Sequence, residues 1–374
     1  MTYGGLTIYN NYMEKDRKLR IHIKEQIKSE ILKGSLKPYE MLPPTKEYAK
    51  KLGVSRLTLE YMLQELAKEG YVFRIKGKGT FVSPIIPEKS TLISFIAPDL
   101  KNPFIAEVFM GVEDSTKKYG YDLVYVNSEE ASEREIFSIQ HLLNKGIKGI
   151  LLYPSDDLIQ KEDIFEKLLV NINIPIVLVD RYFPNLTLDF VVSDNRGGGY
   201  ELTKYLIDMG HRDIAFICSS NLATTSVKER FEGYRKALKE AKIDFKEELV
   251  LNKLSSYKHF SFDRDIELVS EFLRSRKVTA VFCANELIAS IVYRACKLLN
   301  KNIPDDVSVV GFGDTTIALY LDPPLTTIYQ EKSLMGAKAV DTLMKKIKGE
   351  KSITQIYLPT YLVIRNSVKN IKNV

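Results

Sequence analysis

Cysteine is scarce in this 374-residue chain: the three thiols, Cys218, Cys283 and Cys296, stand far apart in apolar segments. An odd, sparse set excludes a disulfide framework and points to free, buried thiols. The four histidines, His22, His141, His211 and His259, show no ligand spacing with one another or with a cysteine, so no metal site is expected. No apolar run approaches the roughly 20 residues that span a bilayer, which leaves the membrane out as a partner. The opening segment MTYGGLTIYNNYMEKDRK has no apolar stretch followed by a cleavage site, so no secretory signal is read and a cytoplasmic location is expected. Catalytic signatures are lacking as well. GKGT at 77–80 is not a phosphate-binding loop, because no glycine precedes Lys78 at the required spacing and Gly79, not Ser or Thr, follows it. The run Gly197–Gly199 lacks the third glycine of a dinucleotide fingerprint and is expected to let a strand turn tightly into a helix. No Ser-His-Asp or Cys-His set is found. Neither a catalytic residue nor a cofactor is expected, and the chain is not read as an enzyme.

What is present divides the chain. The formal net charge of +6 says little alone, but residues 15–82 are rich in Lys and Arg while the rest is nearer balance. A basic segment at one end points to a polyanion partner for that segment. Ile21, Ile23, Ile27, Ile31 and Leu32 recur at helical spacing and predict a first helix over about 18–33, closed by Gly34. Pro38, Pro43 and Pro44 forbid its extension. Thr45 is expected to cap a short helix, Lys46 to Leu52, stopped by Gly53, and Ser55 to cap a third, Arg56 to Glu69. Two short helices joined by a Gly-containing turn predict a helix-turn-helix. Tyr71–Phe73, the Gly77–Gly79 turn and Thr80–Val82 add a two-stranded wing. A polar break containing Pro84 and Pro87 marks a linker at 83–91, between a head at 17–82 and a body at 92–374.

The body alternates short β-rich runs (Leu92–Ala97, Leu123–Val126, Gly149–Tyr153, Ile174–Val179, Ile214–Cys218, Ala280–Cys283, Val307–Gly311) with amphipathic helical stretches. This alternation predicts parallel sheets covered by helices on both faces, long enough for two lobes with a ligand between them at the C-terminal ends of the strands.

The segment LPPTKEYAKKLGVSRLTLEYMLQELAKEGYVFRIKGKGTFV (42–82) resembles the winged-helix domain of the GntR regulator family. The resemblance implies DNA contacts at Lys46, Arg56, Thr58 and the wing residues Lys76, Gly77, Lys78 and Gly79. The chemistry fits. Arg56 and Thr58 begin the helix whose N-terminal end would enter the major groove, and arginine is the commonest bidentate reader of guanine. Gly77 and Gly79 allow a sharp turn close to phosphates, with Lys76 and Lys78 supplying charge. The family usually has Arg where this chain has Lys46 and commonly has Arg where it has Glu60, so the DNA-binding role carries over from the resemblance but the operator sequence does not.

From about 92 to 367 the chain resembles the effector domain of the LacI family, which has the fold of periplasmic sugar-binding proteins. The segments that carry this are IAPDLKNPF (96–104), DRYF (180–183), SDNRGGGYELTKYLIDMGHRDIAFI (193–217), ERFEGYRKAL (229–238), IPDDVSVVGFGD (303–314), PPLTTIYQ (323–330) and LPTYLVIRNS (358–367). The two resemblances together imply an α/β protein: a winged helix-turn-helix followed by a two-lobed, parallel-sheet, periplasmic-binding-protein-like domain. A subgroup with this combination has the arabinose-operon repressors of bacilli as its best-known members. The resemblance places the effector cleft at Phe104, Asp180, Arg181, Ser226, Arg230, Asn285, Glu286 and Asp314. Structural roles stand beside these: Phe104 as a core plug, Arg181 as a partner of Asp180, Arg230 as a brace to Glu229 or Glu232. Two departures from the family pattern are clear. GFGD replaces GFDD, leaving Gly313 where an acid is usual, and Asn285-Glu286 replaces Asn-Asp.

The implied partners are double-stranded operator DNA, a small-molecule effector of the sugar class (a pentose such as arabinose) and a second copy in a homodimer. The implied function is repression of sugar-utilisation genes, relieved by the sugar. A sugar-binding protein or sugar-acting α/β enzyme with an interaction head is the alternative, and an acyl or phosphate ligand stays open because the cleft would be partly basic.

Overall fold

The computed structural model describes residues 19–84, 91–219, 222, 224–255 and 261–372. Residues 17 and 18 of the expected head and 85–90 of the expected linker lie outside these. The chain divides into two compact units between Ser90 and Thr91.

The first unit contains α1, described over 19–32, α2 (Thr45–Leu52), α3 (Arg56–Lys68), β1 (Val72–Ile75) and β2 (Gly79–Val82). Ile23, Ile27 and Ile31 form one buried stripe of α1, packed with Tyr48, Leu59, Met62, Leu63, Leu66, Val72 and Val82. Ile21 and Leu32, expected on that stripe, are 55% and 54% exposed, because they lie outside the i, i+4, i+8 row. Thr45 is the first residue of α2 and does not cap it. Pro44 holds that position without a side-chain bond. Ser55 does cap α3, its Oγ accepting from Thr58 N at 3.0 Å.

In the second unit β3 (Leu92–Ala97), α4 (Pro103–Lys118), β4 (Asp122–Asn127), α5 (Ser132–Asn144), β5 (Ile150–Leu152), α6 (Asp156–Gln160), α7 (Glu162–Leu169), β6 (Ile176–Val179) and β7 (Asp189–Ser193) build lobe I. Helix α8 (Asn195–Asp208) leads into lobe II: β8 (Ile214–Ser219), α9 (Thr225–Glu240), β9 (Val250–Leu254), α10 (Phe262–Ser275), β10 (Ala280–Cys283), α11 (Glu286–Leu298), β11 (Ser308–Gly313), α12 (Thr316–Tyr320) and β12 (Thr326–Gln330). Helix α13 (Lys332–Ile347) and β13 (Gln355–Leu358) return to lobe I, and β14 (Thr360–Val363) to lobe II. The sheet orders are β13-β7-β6-β5-β3-β4 and β14-β12-β11-β10-β8-β9, parallel except where β14 meets β12. Strands such as IVLV of β6 and SVVGFG of β11 are buried throughout, as expected where helices cover both faces.

The chain therefore crosses between lobes three times, at 193–195, 330–332 and 358–360. The crossings are tied together: Gln330 Nε2 donates to Ser193 Oγ at 2.8 Å, and Asp194 N to Leu358 O at 2.8 Å.

Lobe I also buries a carboxyl. Glu135 on α5 is 0% exposed and accepts from Ser155 N (2.8 Å) and Ser155 Oγ (2.6 Å). Burial pushes its pKa up to about 8. The folded state then holds a proton that the unfolded chain releases at the ordinary carboxyl value. The resulting stability is fully present below about pH 4.5 and is lost as pH rises to about 8. Glu135→Gln should flatten this slope and raise the melting temperature at pH 8.5 relative to the parent, read by thermal denaturation across pH 5–9. A parallel shift at every pH would show that Glu135 does not titrate there.

Candidate functional site

In the first unit, Lys46, Arg56, Lys76, Gly77, Lys78 and Gly79 are all exposed, and Thr58 is half-buried. Arg56 is the first residue of α3, and Leu57 beside it is 79% exposed, so the N-terminal end of α3 projects from the unit. The Thr58 hydroxyl is 2.8 Å from Ser55 Oγ, which fixes its rotamer within the cap. Gly77 has φ 77°, a left-handed conformation that the wing turn requires and glycine adopts without strain. Sequence reading missed Arg74 on β1, which lies 3.8 Å from Glu60 on α3 and joins wing to helix. The Glu60 carboxylate thus has a cation nearby within the unit.

In the second unit a cavity of about 310 Å³ lies between the lobes. Its walls come from residues that follow strands: Glu130 after β4, Tyr153 and Asp156 after β5, Asp180 and Arg181 after β6, Thr224 and Ser226 after β8, Asn285 and Glu286 after β10. Parallel strands all deliver their C-terminal loops to one end, so residues far apart in sequence converge there. Phe104 lines the cavity from the first turn of α4, whose cap Asn102 Oδ1 accepts from Phe104 N at 3.0 Å.

Arg181 does not pair with Asp180. Its Nη1 lies 2.9 Å from Asp156 and 3.6 Å from Glu130, with the guanidinium over the Tyr153 ring at 4.7 Å. Asp180 Oδ1 and Thr224 Oγ1 are buried and find no hydrogen-bond partner among the described residues. Arg230 lies in the second turn of α9, which begins at Thr225, and is 6% exposed. It braces neither Glu229 nor Glu232. Nε donates to Asn195 Oδ1 (2.8 Å), Nη1 to Ala284 O (2.7 Å) and Nη2 to Gln330 Oε1 (3.3 Å), and the guanidinium stacks on Phe312 at 3.9 Å. Burial pushes the Glu286 carboxyl up to about 7. Asp314 stands apart: it does not line the cavity, and its Oδ1 lies 2.7 Å from Arg365 Nη1. Glu130, Tyr153, Asp156, Thr224 and Gln330 were missed from sequence. Their common signal is a position just beyond an apolar run, and Gln330 ends the TTIYQ run itself.

The expected glycine turn at 197–199 takes another form. The side chain of Asp194 caps α8, accepting from Gly197 N at 2.8 Å, while Gly199 lets α9 approach. The three cysteines are buried at 0–1% exposure. Among the described residues no His, Cys, Asp and Glu cluster could hold a metal ion, and no helix is long and apolar enough to cross a membrane.

A winged helix-turn-helix with a basic exposed face, joined in one chain to a two-lobed α/β unit with a polar cavity, defines a DNA-binding transcription regulator. Residues 19–82 match the family of bacterial regulatory proteins, gntR family, and residues 203–368 match the periplasmic binding protein-like domain. The chain is 35% identical over 283 residues to the ribose operon repressor of Haemophilus influenzae, covering 75% of this chain and 82% of that protein. It is 29% identical over 370 residues to the arabinose metabolism transcriptional repressor of Geobacillus stearothermophilus, covering 96% and 100%. A LacI family transcriptional regulator from Enterococcus faecium, solved with bound ribose, superposes with a TM-score of 0.64 at 25% identity over 75% of this chain and 100% of that one. The chain belongs to the LacI family of transcription repressors and carries a GntR-type winged helix-turn-helix as its DNA-binding domain. It is not an enzyme, since these relatives are transcriptional repressors.

Proposed function

We propose that the protein is a cytoplasmic, homodimeric repressor of sugar-utilisation genes whose hold on its operator is relieved when a small unphosphorylated sugar, of pentose size, enters the inter-lobe cavity. The observation that carries the sugar class is the charge of that cavity. Carboxylates line it at Glu130, Asp156, Asp180, Asp265 and Glu286, against the cations Lys101, Arg181 and Arg230. Arg181 is already matched by Asp156 and Glu130. A phosphate or acyl anion would find no surplus cation, since Asp156, Asp180 and Asp265 alone match Lys101, Arg181 and Arg230, whereas hydroxyl groups can donate to the unpartnered Asp180 Oδ1 and accept from Arg230. Phe104 supplies an apolar face for the ring. Phe104, Asp180, Arg181, Ser226, Arg230, Asn285 and Glu286 are the contact residues of this reading, and the relatives named for ribose and arabinose support the pentose.

In this reading Arg56 and Thr58 of the head at 17–82 meet base edges, and Lys46, Lys76, Lys78 and the wing glycines meet phosphates. Bodies at 92–374, joined by the 83–91 linkers, pair the heads on half-sites about one helical turn apart. Titrating the full chain onto its own upstream DNA, with and without D-ribose, L-arabinose and hexoses, tests the reading by fluorescence anisotropy. Operator affinity that no sugar lowers would overturn it. In the same assay Arg56→Ala should cost about 1–3 kcal/mol on the operator and little on random DNA, as for one lost bidentate base contact. Lys78→Ala should weaken both alike and reduce the salt slope. Unchanged discrimination in Arg56→Ala would place Arg56 on phosphate or in solvent.

A further inference from the structure

Lys332 begins α13, just past the second crossing, and its side chain is 1% exposed. Helix α13 is fixed to lobe I by a very close contact with α4. A Cβ on Gly336 would lie 2.2 Å from Val108 O, and one on Gly111 1.9 Å from Ser333 O, so the two backbones touch. The ammonium of Lys332 nevertheless enters lobe II. Nζ donates to Gly313 O at 2.9 Å and Asp314 O at 3.0 Å, lies 4.7 Å from the Tyr329 ring centre, and is 3.4 Å from Glu107 Oε2 on α4.

The turn it grips in turn grips the cavity. Thr315 N donates to Glu286 Oε1 at 3.0 Å, and Thr315 Oγ1 lies 3.3 Å from Glu286 Oε2. Gly313 has φ 133°, and a Cβ there would stand 2.7 Å from Glu286 Oε2. The carboxylate therefore rests directly on the backbone that Lys332 holds. The two departures noted in the sequence are one fitted arrangement: the longer acid at 286 occupies space that a side chain at 313 would need.

We propose that Lys332 is a positioning residue that ties the cavity carboxylate of Glu286 to lobe I, so that the angle between the lobes and the placement of Glu286 change together. A buried ammonium that loses two carbonyl acceptors has no water to replace them, so separation of α13 from the 313–315 turn is strongly disfavoured. Lobe movement must carry the turn, and with it one wall of the cavity. The consequence for sugar rests on the effector reading above, while the consequence for the lobes does not.

The test uses the full chain with spin labels at Phe137→Cys in lobe I and Leu298→Cys in lobe II, sites that are 68% and 61% exposed. The native thiols, at 0–1% exposure, stay unlabelled, and dilution with unlabelled chain leaves only intrachain pairs. Without sugar, Lys332→Met should displace or broaden the inter-lobe distance distribution relative to the parent. An unchanged distribution overturns the inference, whatever the effector is. Glu107→Gln, at a half-buried position on α4, should broaden it less, because both carbonyl bonds of Lys332 remain. If Lys332→Met does not fold, Lys332→Gln, which also lacks the ammonium but keeps a polar end, decides, and an unchanged distribution in it overturns the inference. Calorimetric titration with L-arabinose and D-ribose is expected to show at least tenfold weaker binding in Lys332→Met. If the parent binds neither sugar, the effector reading is lost and the sugar-free distances still judge Lys332.

Discussion

Arg230→Ala should weaken sugar binding at least tenfold and destabilise the body at the same time. The guanidinium has five N–H donors, and three are engaged with Asn195, Ala284 and Gln330. Two remain, and Arg230 lines the cavity. On the effector reading, charge-assisted bonds from them to sugar hydroxyls would contribute about 1.5–3 kcal/mol, which corresponds to tenfold or more in affinity. The stability loss has a separate cause. Asn195 stands at the first inter-lobe crossing and Gln330 at the second, so removing Arg230 leaves buried acceptors unpaired where the lobes are joined. Each such acceptor costs about 1–3 kcal/mol. Arg230→Lys should not restore either property, because an ammonium cannot reproduce the planar fork. Operator binding without sugar should persist, since the winged head is a separate compact unit. Calorimetry, thermal denaturation and a gel shift read the three effects. Undiminished sugar affinity would remove Arg230 from the site, and an unchanged melting temperature would deny its role at the crossings.

The site was legible where a strand announces itself and the next few residues follow. Apolar runs such as Ile174–Val179 and Ala280–Cys283 mark strands, and Asp180, Arg181, Asn285 and Glu286 stand directly behind them. The head was legible for a similar reason, since Ser55, Gly53 and the wing glycines act through local conformation. Lobe membership was not legible. Thr326–Gln330, Gln355–Leu358 and Thr360–Val363 are three short strands that the apolar runs did not mark, and the second pairs with lobe I while the others pair with lobe II. Only long-range register decides this, and no local preference encodes it. The placement of helix α13 on lobe I is likewise long-range, set by Gly336 and Ser333 against Val108 and Gly111, and its first residue holds the cavity turn. Asp314 was misplaced by one shell: the backbone that carries it is in contact with the site, but its carboxylate meets Arg365 instead.

Gly199→Ala tests how rigid the first crossing is, and it sets two opposed effects against each other. In an isolated helix the change is favourable by about 0.5–1 kcal/mol, because alanine loses less backbone entropy than glycine. Here α8 lies against α9 without room for a side chain. A Cβ at 199 would stand 2.4 Å from Arg230 O, and one at Gly233 would stand 2.2 Å from Arg196 O. The obstructing atoms are backbone carbonyls, which cannot rotate away as the end of a side chain could. Overpacking of this kind costs about 1–3 kcal/mol or more, so the clash outweighs the propensity gain and net destabilisation is expected. The carbonyl that must move belongs to Arg230, so the displacement passes to the guanidinium in the cavity. Gly199→Ala should therefore lower the melting temperature and weaken sugar binding together, although residue 199 does not line the cavity. Lys204→Ala, on the exposed face of the same helix, isolates the propensity effect and should leave both within experimental error. Alanine at 199 with unchanged melting and unchanged sugar affinity would mean that α8 and α9 part readily, and that the crossing does not hold Arg230 in place.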